Sequence, residues 1–506
     1  MKMLLLYGLV YIFIFSVLKK VRWEGNIFRL PANTGFFYTL VSMLTSNTSL
    51  SFFGMVSVMT LMQGEVGIWF LLAPSLSAGL HIYIFGPLWA QCNWDNENQL
   101  LLERYRGRWA RILHHFRGVY VGLVVNAILI SGMLISFADM VSAFTSVSRQ
   151  EALYFSCIFL LVNLWRTTLS SKILSDVYNT GMWITVILIG FFAAVFVDAD
   201  ISTLPAESAT TYGAFPYTET AYFRHFLLYV GIQWWSAQMF DGSGLNAQRL
   251  MNFSPARIRW LLWVYQSIMV LIIIMVSKMV MVAAPLVTSG KLQEQAFFLY
   301  VNSVLPASVS LVIPLVIFGV FAGSVESQLN WAGSLMHSVP TGRWLKDRWK
   351  PYVMMLLILA TAILCTIYFD RIHRVAFMFL GISAGVSLVY ALRWFTPRIN
   401  AQVQLSAMLG GVVYTMLVKA LLARFFPAIE DIDGQIYLMV AVTILVGITA
   451  IIVSLLTYTD EDRQAYEHFR GHYRWPARMG LTVVKSLLYG WALVMGGYLL
   501  FTLMVR

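Results

Sequence analysis

The stretch that decides the fold is Val316–His337, VIFGVFAGSVESQLNWAGSLMH, which is apolar enough to cross a bilayer and yet carries polar side chains. Small residues such as Gly323 let helices approach closely in lipid, and polar groups in a spanning helix face the bundle interior or a water-filled cavity. Glu326 lies three residues after Gly323, and Ser327 lies three residues after Ser324, so each pair shares one helical face. The stretch therefore predicts a spanning helix with a binding surface inside a membrane protein.

The whole chain has the composition of a polytopic membrane protein. Of its 506 residues, 59% are hydrophobic and 12% are charged, whereas soluble domains are about 25% charged. The net charge of +11 comes from basic residues in short loops between apolar runs, which favours membrane topology over a nucleic-acid partner. The three cysteines, each in or beside an apolar segment, favour neither a disulfide framework nor a metal site.

Apolar runs of roughly 20 residues predict an all-α fold with about 14 spanning helices. The first run, Leu4–Leu18, is followed by Lys19 and Lys20 and lacks a small-residue cleavage site, so we interpret it as a retained helix with its N-terminus outside. The other predicted spans are Phe36–Leu61, Val66–Ala90, Leu113–Phe144, Ala152–Leu169, Val177–Val197, Ala221–Phe240, Arg259–Ala284, Leu305–His337, Tyr352–Phe369, Val375–Phe395, Leu405–Phe426, Ile436–Tyr458 and Leu481–Met504.

Loops rich in Lys and Arg alternate with loops that are poor in them. The basic loops lie near residues 19–29, 104–111, 249–259, 343–350, 398 and 463–478, whereas intervening loops such as Asp198–Glu219 are often acidic. Because cytoplasmic loops carry the excess of Lys and Arg, the alternation predicts an even number of spans with both termini outside the cytoplasm.

Two of the predicted spans contain interruptions. Thr45–Ser49 places five polar residues in a row, and their side chains offer the backbone alternative hydrogen bonds that favour a break near Ser46–Ser49. Unwound backbone at membrane depth is tolerated only where it lines an enclosed or wet cavity. The alternative is a polar seam between two helices, with Gly54 at a close contact. The second interruption, Asp241–Leu245, predicts a non-helical turn or short loop.

Five stretches, in order along the chain, resemble motifs of one branch of the sodium:solute symporter family. They are ERYRGRWARILHHFRGVYVGLVVN (Glu103–Asn126), GIQWWSAQMFDGSGLNAQRL (Gly231–Leu250), ESQLNWAGSLMHS (Glu326–Ser338), RWFTPRINAQVQLSAM (Arg393–Met408) and, more loosely, YTDEDRQAYEHFRGHYRWP (Tyr458–Pro476).

This resemblance implies a leucine-transporter-type fold, in which two inverted five-helix repeats surround a site at the membrane midplane. It places an extra N-terminal helix and a cytoplasmic loop at 1–35, the first repeat at 36–198 and an extracytoplasmic loop at 199–220. The second repeat then occupies 221–400, and three appended helices occupy 401–506. The first helix of each repeat is expected to be broken, and the two interruptions fall there.

The resemblance also implies a sodium site. Its ligands would be backbone carbonyls at Leu44 and Asn47 on the first repeat helix, and a carbonyl and adjacent hydroxyls at Val320, Gly323 and Ser324 on the eighth. Because Gly323 stands where the family has a hydroxyl residue, one oxygen ligand is missing. Sodium prefers several hard oxygen ligands, so this loss weakens the site unless another group replaces the hydroxyl.

Two acidic residues are candidates for handling the cation. Glu326 stands where the family has a small hydroxyl residue, and a buried carboxylate is costly unless it is paired or protonated. It is therefore a candidate cation ligand or proton-titrating group; the alternatives are an ion pair with Lys278 or Lys419, or a position at the cytoplasmic mouth. Asp176 matches an acidic residue at the start of the fifth repeat helix, where it serves either in cation exit or as a helix N-cap.

These features predict a cation-coupled secondary transporter, rather than an enzyme, that moves a small organic solute by alternating access. Sodium is the expected coupling ion, with a proton as the alternative, and no other cofactor is expected. The expected location is the bacterial inner membrane, and the expected partners are the lipid bilayer and the solute, without nucleic acid. The residues implied to contact the solute are Ser46, Ser51, Trp234, Trp235 and Gln238.

A different class of function is also open. The missing hydroxyl at Gly323 and a glycine run that is shorter than the family's, at Gly242–Gly244, favour a protein that keeps the transporter fold without transporting. Such a protein would act as a sensor or as a membrane subunit of a complex.

Overall fold

The computed structural model describes residues 8, 28, 34–145, 147–164, 169–197, 211–213, 215, 220–236, 239–251, 253–287, 293–306, 312–340, 349–369, 371–426 and 431–505. All regular secondary structure within these residues is helical.

The main helices are named α1 to α16 in chain order. They are α1 (Phe36–Asn47), α2 (Leu50–Trp89), α3 (Gly107–Phe144), α4 (Arg149–Leu164), α5 (Leu169–Val195), α6 (Thr220–Leu228, extended by a π-helical turn at Tyr229–Gln233 and by Trp234–Ser236), α7 (Leu245–Leu250), α8 (Ile258–Val282), α9 (Val312–His337), α10 (Lys350–Tyr368), α11 (Ile372–Ser383), α12 (Val386–Leu392), α13 (Ala401–Phe425), α14 (Asp431–Thr457), α15 (Asp460–Gly471) and α16 (Met479–Val505).

Nine helices among the described residues are long and apolar enough to cross a bilayer, or ten if the bent pair α11 and α12 counts as one span. The chain is therefore a multi-pass membrane protein. The total of about 14 spans stays a prediction, because Leu4–Leu18 lies almost entirely outside the described residues.

The first predicted break is confirmed. α1 ends at Asn47, and Thr48 and Ser49 have extended backbone before α2 begins at Leu50. The Ser49 side chain accepts a hydrogen bond from the backbone N–H of Phe52, which satisfies a donor that the start of a helix leaves without an intrahelical partner. The polar run thus supplies both the stop of one helix and the cap of the next.

The boundary predicted between Leu61 and Val66 takes a different form. Helix α2 continues through this region with one kink, at Gly64, whose backbone has φ +56°. Only glycine adopts this conformation readily, so the turn between two spans is compressed into a single residue.

The second predicted break is also confirmed. Asp241 to Gly244 are non-helical, and Gly242 and Gly244 have φ of +72° and +99°. The break is one residue shorter than predicted, because Leu245 is already the first residue of α7.

A third break was not predicted. The span expected at Val375–Phe395 is divided into α11 and α12, which meet at an angle of 45°. Gly385, with φ +77°, lies at the bend.

Helix α9, which contains the whole of Val316–His337, lies at the centre of the bundle and packs against α1, α3, α5 and α10. Its small residues make this packing possible. A Cβ added to Gly319 would lie 2.8 Å from Oδ1 of Asn179 on α5, and one added to Gly323 would lie 2.6 Å from the Thr45 methyl group on α1. Glycines one helical turn apart therefore set the distance between α9 and its two neighbours.

Candidate functional site

The polar residues at the end of α1 each contact a different helix. Thr45 Oγ1 lies 2.5 Å from Thr180 Oγ1 on α5 and also donates to the backbone carbonyl of Asp176. Ser46 Oγ lies 2.8 Å from Ser327 Oγ on α9. The Asn47 amide donates to Asn246 Oδ1 on α7, at 3.0 Å. The end of α1 is therefore the point where α5, α7 and α9 meet.

The candidate cation ligands lie around this point, and several of their oxygens already have partners. The Leu44 carbonyl accepts the Thr48 backbone N–H at 2.9 Å. The Ser324 hydroxyl donates to the Val320 carbonyl at 2.8 Å, and the Gly323 carbonyl accepts the Ser327 hydroxyl at 2.9 Å. A cation bound here would compete with these hydrogen bonds, and sodium binding by this set remains a prediction.

The geometry explains why residue 323 is a glycine. Besides the 2.6 Å approach to the Thr45 methyl group, a Cβ at this position would lie 3.1 Å from Nδ2 of Asn179. A side chain here would require the Thr45 or Asn179 side chain to shift, so the close packing of these two residues favours glycine at position 323.

Glu326 is buried on α9, with 7% of its surface exposed. Of the two lysines considered as partners, Lys419 is exposed, and Lys278 donates to the carbonyl of Val197, just beyond the end of α5, at 3.1 Å. The role of Glu326 as a cation ligand stays a prediction.

Asp176 is not a helix N-cap, so this alternative was wrong. Helix α5 begins at Leu169 rather than at Val177, and Asp176 lies seven residues inside it. The helix accommodates the carboxylate because Lys172, one turn earlier, places its Nζ 2.5 Å from Asp176 Oδ1, with 2% and 0% of the two side chains exposed. Sequence reasoning overlooked Lys172, although Lys and Asp four residues apart are a recognisable helical ion pair.

A central cavity of about 500 Å³ opens beside the α1 break. Its wall is built from α1, α2, α3, α6, α7, α8, α9 and α11 together with the break before α7. The lining residues are Asn47, Phe52, Met55, Phe70, Leu71, Pro74, Ser75, Ser77, His81, Leu129, Gln233, Met239, Gly242, Ser243, Gly244, Leu245, Asn246, Tyr265, Gln266, Met269, Ile273, Gln328, Trp331, Ala376, Phe379 and Leu380.

Four of the five residues predicted to contact the solute are described, and they lie outside the lining of this cavity. Ser46 is bonded to Ser327, and Ser51 Oγ lies 2.9 Å from Ser136 Oγ on α3. Trp234 packs edge-on against Phe240, and the Trp235 indole N–H donates to the carbonyl of Gly231 within α6. Gln238 lies outside the described residues. None of these four side chains is among those that line the central cavity, and their part in solute binding stays a prediction.

Three buried polar atoms in the cavity wall have no hydrogen-bond partner within the described part of the protein. They are Oε1 of Gln233, Oγ of Ser243 and the indole Nε1 of Trp331. The three residues are 3%, 6% and 2% exposed. Buried polar atoms are almost always paired, because an unpaired one carries the cost of its lost hydration. These residues therefore bring to the cavity wall an acceptor, a hydroxyl and a donor whose hydrogen-bonding capacity is unused in the described part of the protein.

The break before α7 is held by buried charges. Asp241 Oδ2 accepts from the Arg393 guanidinium at 2.7 Å and from the Trp394 indole at 3.0 Å, and both ionic side chains are at most 2% exposed. Nearby, Glu97 accepts from Arg117 and from the backbone N–H of Gly244. The non-helical backbone next to the cavity is thus tied to α12, to α3 and to the loop before α3.

No family model matches the sequence, and no curated protein matches it in sequence. Solved structures match it in fold. A sodium-coupled sialic acid symporter in a substrate-bound outward-open state has 15% sequence identity and a TM-score of 0.65, over 90% of this chain and 97% of that one. The fold is of the leucine-transporter type.

Two further transporters match with lower TM-scores. A nucleobase-cation-symport-1 family transporter has 13% identity and a TM-score of 0.47, over 86% of this chain and 96% of that one. A manganese transporter mutant from Eremococcus coleocola has 12% identity and a TM-score of 0.45, over 86% of this chain and 98% of that one.

In the leucine-transporter-type fold the substrate site lies at broken helices near the midplane. The central cavity of this protein adjoins the α1 break and the break before α7.

Proposed function

We propose that this protein is a cation-coupled secondary transporter that carries a small organic solute across the bacterial inner membrane by alternating access. The observation that carries this proposal is the central cavity, which is bounded by two helix breaks and lined in part by residues whose buried polar atoms are unpaired among the described residues. A purely structural subunit has no need of such a cavity between broken helices, and a sensor would bind the solute there without moving it across the membrane.

The chain is proposed to be a divergent member of the sodium:solute symporter family. The sequence motifs that resemble this family support the proposal, and so does the fold shared with a sodium-coupled sialic acid symporter. Sodium is accordingly the proposed coupling ion, with a proton as the alternative, and the alternation of basic loops supports termini outside the cytoplasm. The repeats are proposed at 36–198 and 221–400.

The solute is proposed to be uncharged. No Asp, Glu, Lys or Arg side chain is among the described residues that line the cavity, and aromatic and Met side chains make up much of the wall. Burying an ionised group without a charged partner is costly. A neutral solute that carries one donor and one acceptor would instead form hydrogen bonds with Gln233 Oε1 and Trp331 Nε1.

The proposal can be tested before the solute is identified. Cells that express the protein are compared with cells carrying an empty vector, and the disappearance of solutes from a complex medium is followed by mass spectrometry with sodium or with choline. The expected result is an uncharged solute that is depleted faster only with the protein present and only with sodium. Depletion in acidic choline medium instead would identify proton coupling. Identical depletion by cells with the protein and cells with the empty vector would favour the alternative function, in which the protein keeps the transporter fold without transporting.

A further inference from the structure

The buried ion pair on α5 lies at the junction where the cation is proposed to bind. The Asp176 side chain is fully buried, and the backbone carbonyl of this residue accepts a hydrogen bond of 3.2 Å from Thr45, the residue that follows Leu44. Thr180, one turn later, contacts the same threonine. The backbone of Asp176 therefore contacts α1 about one helical turn before the break.

Two positively charged side chains among the described residues act on this carboxylate. Lys172 is paired with Asp176 at 2.5 Å, and the buried guanidinium of Arg249, on α7, also attracts it electrostatically. Lys172 and Arg249 are 2% and 1% exposed, so water screens neither of them well. A sodium ion that approached Asp176 would meet one negative charge already shared by two positive ones.

We propose that the Lys172 ammonium group takes the place of a sodium ion from solution as the cation paired with the Asp176 carboxylate. A sodium ion is then held only by the oxygens of α1 and α9, and it does not use Asp176 as a ligand. Lys172 holds Oδ1 of the acid predicted to serve in cation exit, whereas Oδ2 has no hydrogen-bond partner among the described residues, so the exclusion of sodium depends on the positive charge of Lys172. This inference rests on the proposed cation coupling, but it concerns sodium binding and needs neither a solute nor transport.

The test uses purified full-length protein in detergent without solute, and follows the thermal unfolding midpoint as sodium chloride replaces choline chloride at constant ionic strength. Lys172→Met removes the charge with little change in shape and frees Asp176. The double variant Lys172→Met with Asp176→Asn removes both charges, and Lys172→Arg keeps a cation at the site. Each variant is compared with the unmodified protein.

The expected result is a gain of sodium binding in Lys172→Met, in which stabilisation is half-complete at a sodium concentration about tenfold lower than in the unmodified protein, because a repelling charge is gone and a carboxylate is free. The double variant and Lys172→Arg should lack this gain. Equal sodium responses in Lys172→Met and the unmodified protein would overturn the inference.

A folding defect in Lys172→Met would still be informative. If this variant folds in sodium but not in choline, sodium has taken the place of the ammonium group, which supports the inference. If it folds in neither salt while the double variant folds in both, the freed carboxylate does not accept sodium, and the inference fails. Failure of the proposed function is a separate outcome, seen as an absence of sodium-dependent solute depletion in cells with the unmodified protein.

Discussion

At the residue scale, the ion pair between Asp241 and Arg393 is the contact that most directly fixes the break before α7. Asp241→Ala would leave the Arg393 guanidinium buried and without its carboxylate, which is expected to lower the free energy of unfolding by about 3–5 kcal/mol. Denaturant unfolding in detergent measures this loss. The control is Glu467→Ala, which breaks the exposed pair with Arg463, at 3.0 Å and with both side chains more than half exposed.

The control is expected to cost about 0–1 kcal/mol, because solvent screens an exposed pair. Similar losses in the two variants would show that the buried pair adds nothing to the stability of the break.

Trp331 allows solute binding to be separated from stability. Trp331 lines the cavity and its indole N–H has no partner in the described part of the protein, so Trp331→Phe removes the donor proposed for the solute and breaks no hydrogen bond there. We expect the Kd for the solute to rise about fivefold, the equivalent of one neutral hydrogen bond. Solute titration of the purified protein measures this change.

The matched control is Trp183→Phe. The Trp183 indole is also buried without a partner among the described residues, but it packs against Phe53 and is not part of the cavity lining. Its replacement should leave the Kd unchanged, and an equal rise in Kd for both variants would remove the assignment of Trp331 to the solute site.

Single residues of the site were harder to predict than the region that holds them. The run Thr45–Ser49 identified where the cavity lies, because its residue types favour a break. The lining of the cavity comes from elements far apart in sequence, and periodicity within one helix carries no information about the other walls. Lys172 was missed for a local reason, since a predicted helix start at Val177 placed it outside the span.

At the element scale, the break between α6 and α7 requires glycine. Gly244 has φ +99°, and a Cβ there would lie 2.9 Å from Met239 Sδ. We expect Gly244→Ala to destabilise the protein by about 1–3 kcal/mol, because L-residues avoid this backbone conformation. The thermal unfolding midpoint reports the effect, and solute uptake should fall with it.

Gly181, on α5, is the control for the glycine substitution. It is helical, exposed and has open space around its Cα, so Gly181→Ala should raise stability by up to about 1 kcal/mol. Effects of the same sign at Gly181 and Gly244 would contradict the claim that the backbone at Gly244 requires glycine.

The last helix, α16, packs through glycine against α2 at its 3₁₀-helical turn, Ala73–Ser77. A Cβ at Gly490 would overlap the backbone of Leu76, whereas one at Gly496 on the same helix would meet nothing within 4 Å. We therefore expect Gly490→Leu to separate the two helices and to reduce the yield of folded protein in detergent, judged by size-exclusion chromatography. Gly496→Leu should behave as the unmodified protein does, and loss of folded protein in both variants would argue against this contact.

Two of the three described breaks could be predicted, and the reason lies in their sequences. Thr45–Ser49 and Asp241–Gly244 interrupt apolar runs with consecutive polar or glycine residues, which is a strong local signal. Ser383-Ala384-Gly385, at the bend between α11 and α12, resembles the small-residue patches that pack straight helices together. The positive φ of Gly385 could not be distinguished from such a patch by composition.

At the scale of the whole molecule, the fold followed from the sequence because the bilayer restricts the choice of structure. Apolar runs of this length must be helices, and non-helical backbone at membrane depth must be buried in protein or line a cavity. The leucine-transporter-type fold was predicted from motifs spread along the chain. The TM-score of 0.65 to a sodium-coupled symporter confirms that fold. The identity of the solute could not be predicted, since the same fold carries many functions.

The central claim, that the cavity serves cation-driven transport, is tested most directly by solute uptake into proteoliposomes that contain the purified protein. The solute is the one identified by depletion from the medium, and uptake is measured with an inward sodium gradient and with equal sodium on both sides. The account predicts accumulation above the external concentration only under the gradient, and a return to equilibrium when the gradient is dissipated. Solute binding without any flux across the membrane would contradict the claim and would favour a protein of transporter fold that does not transport.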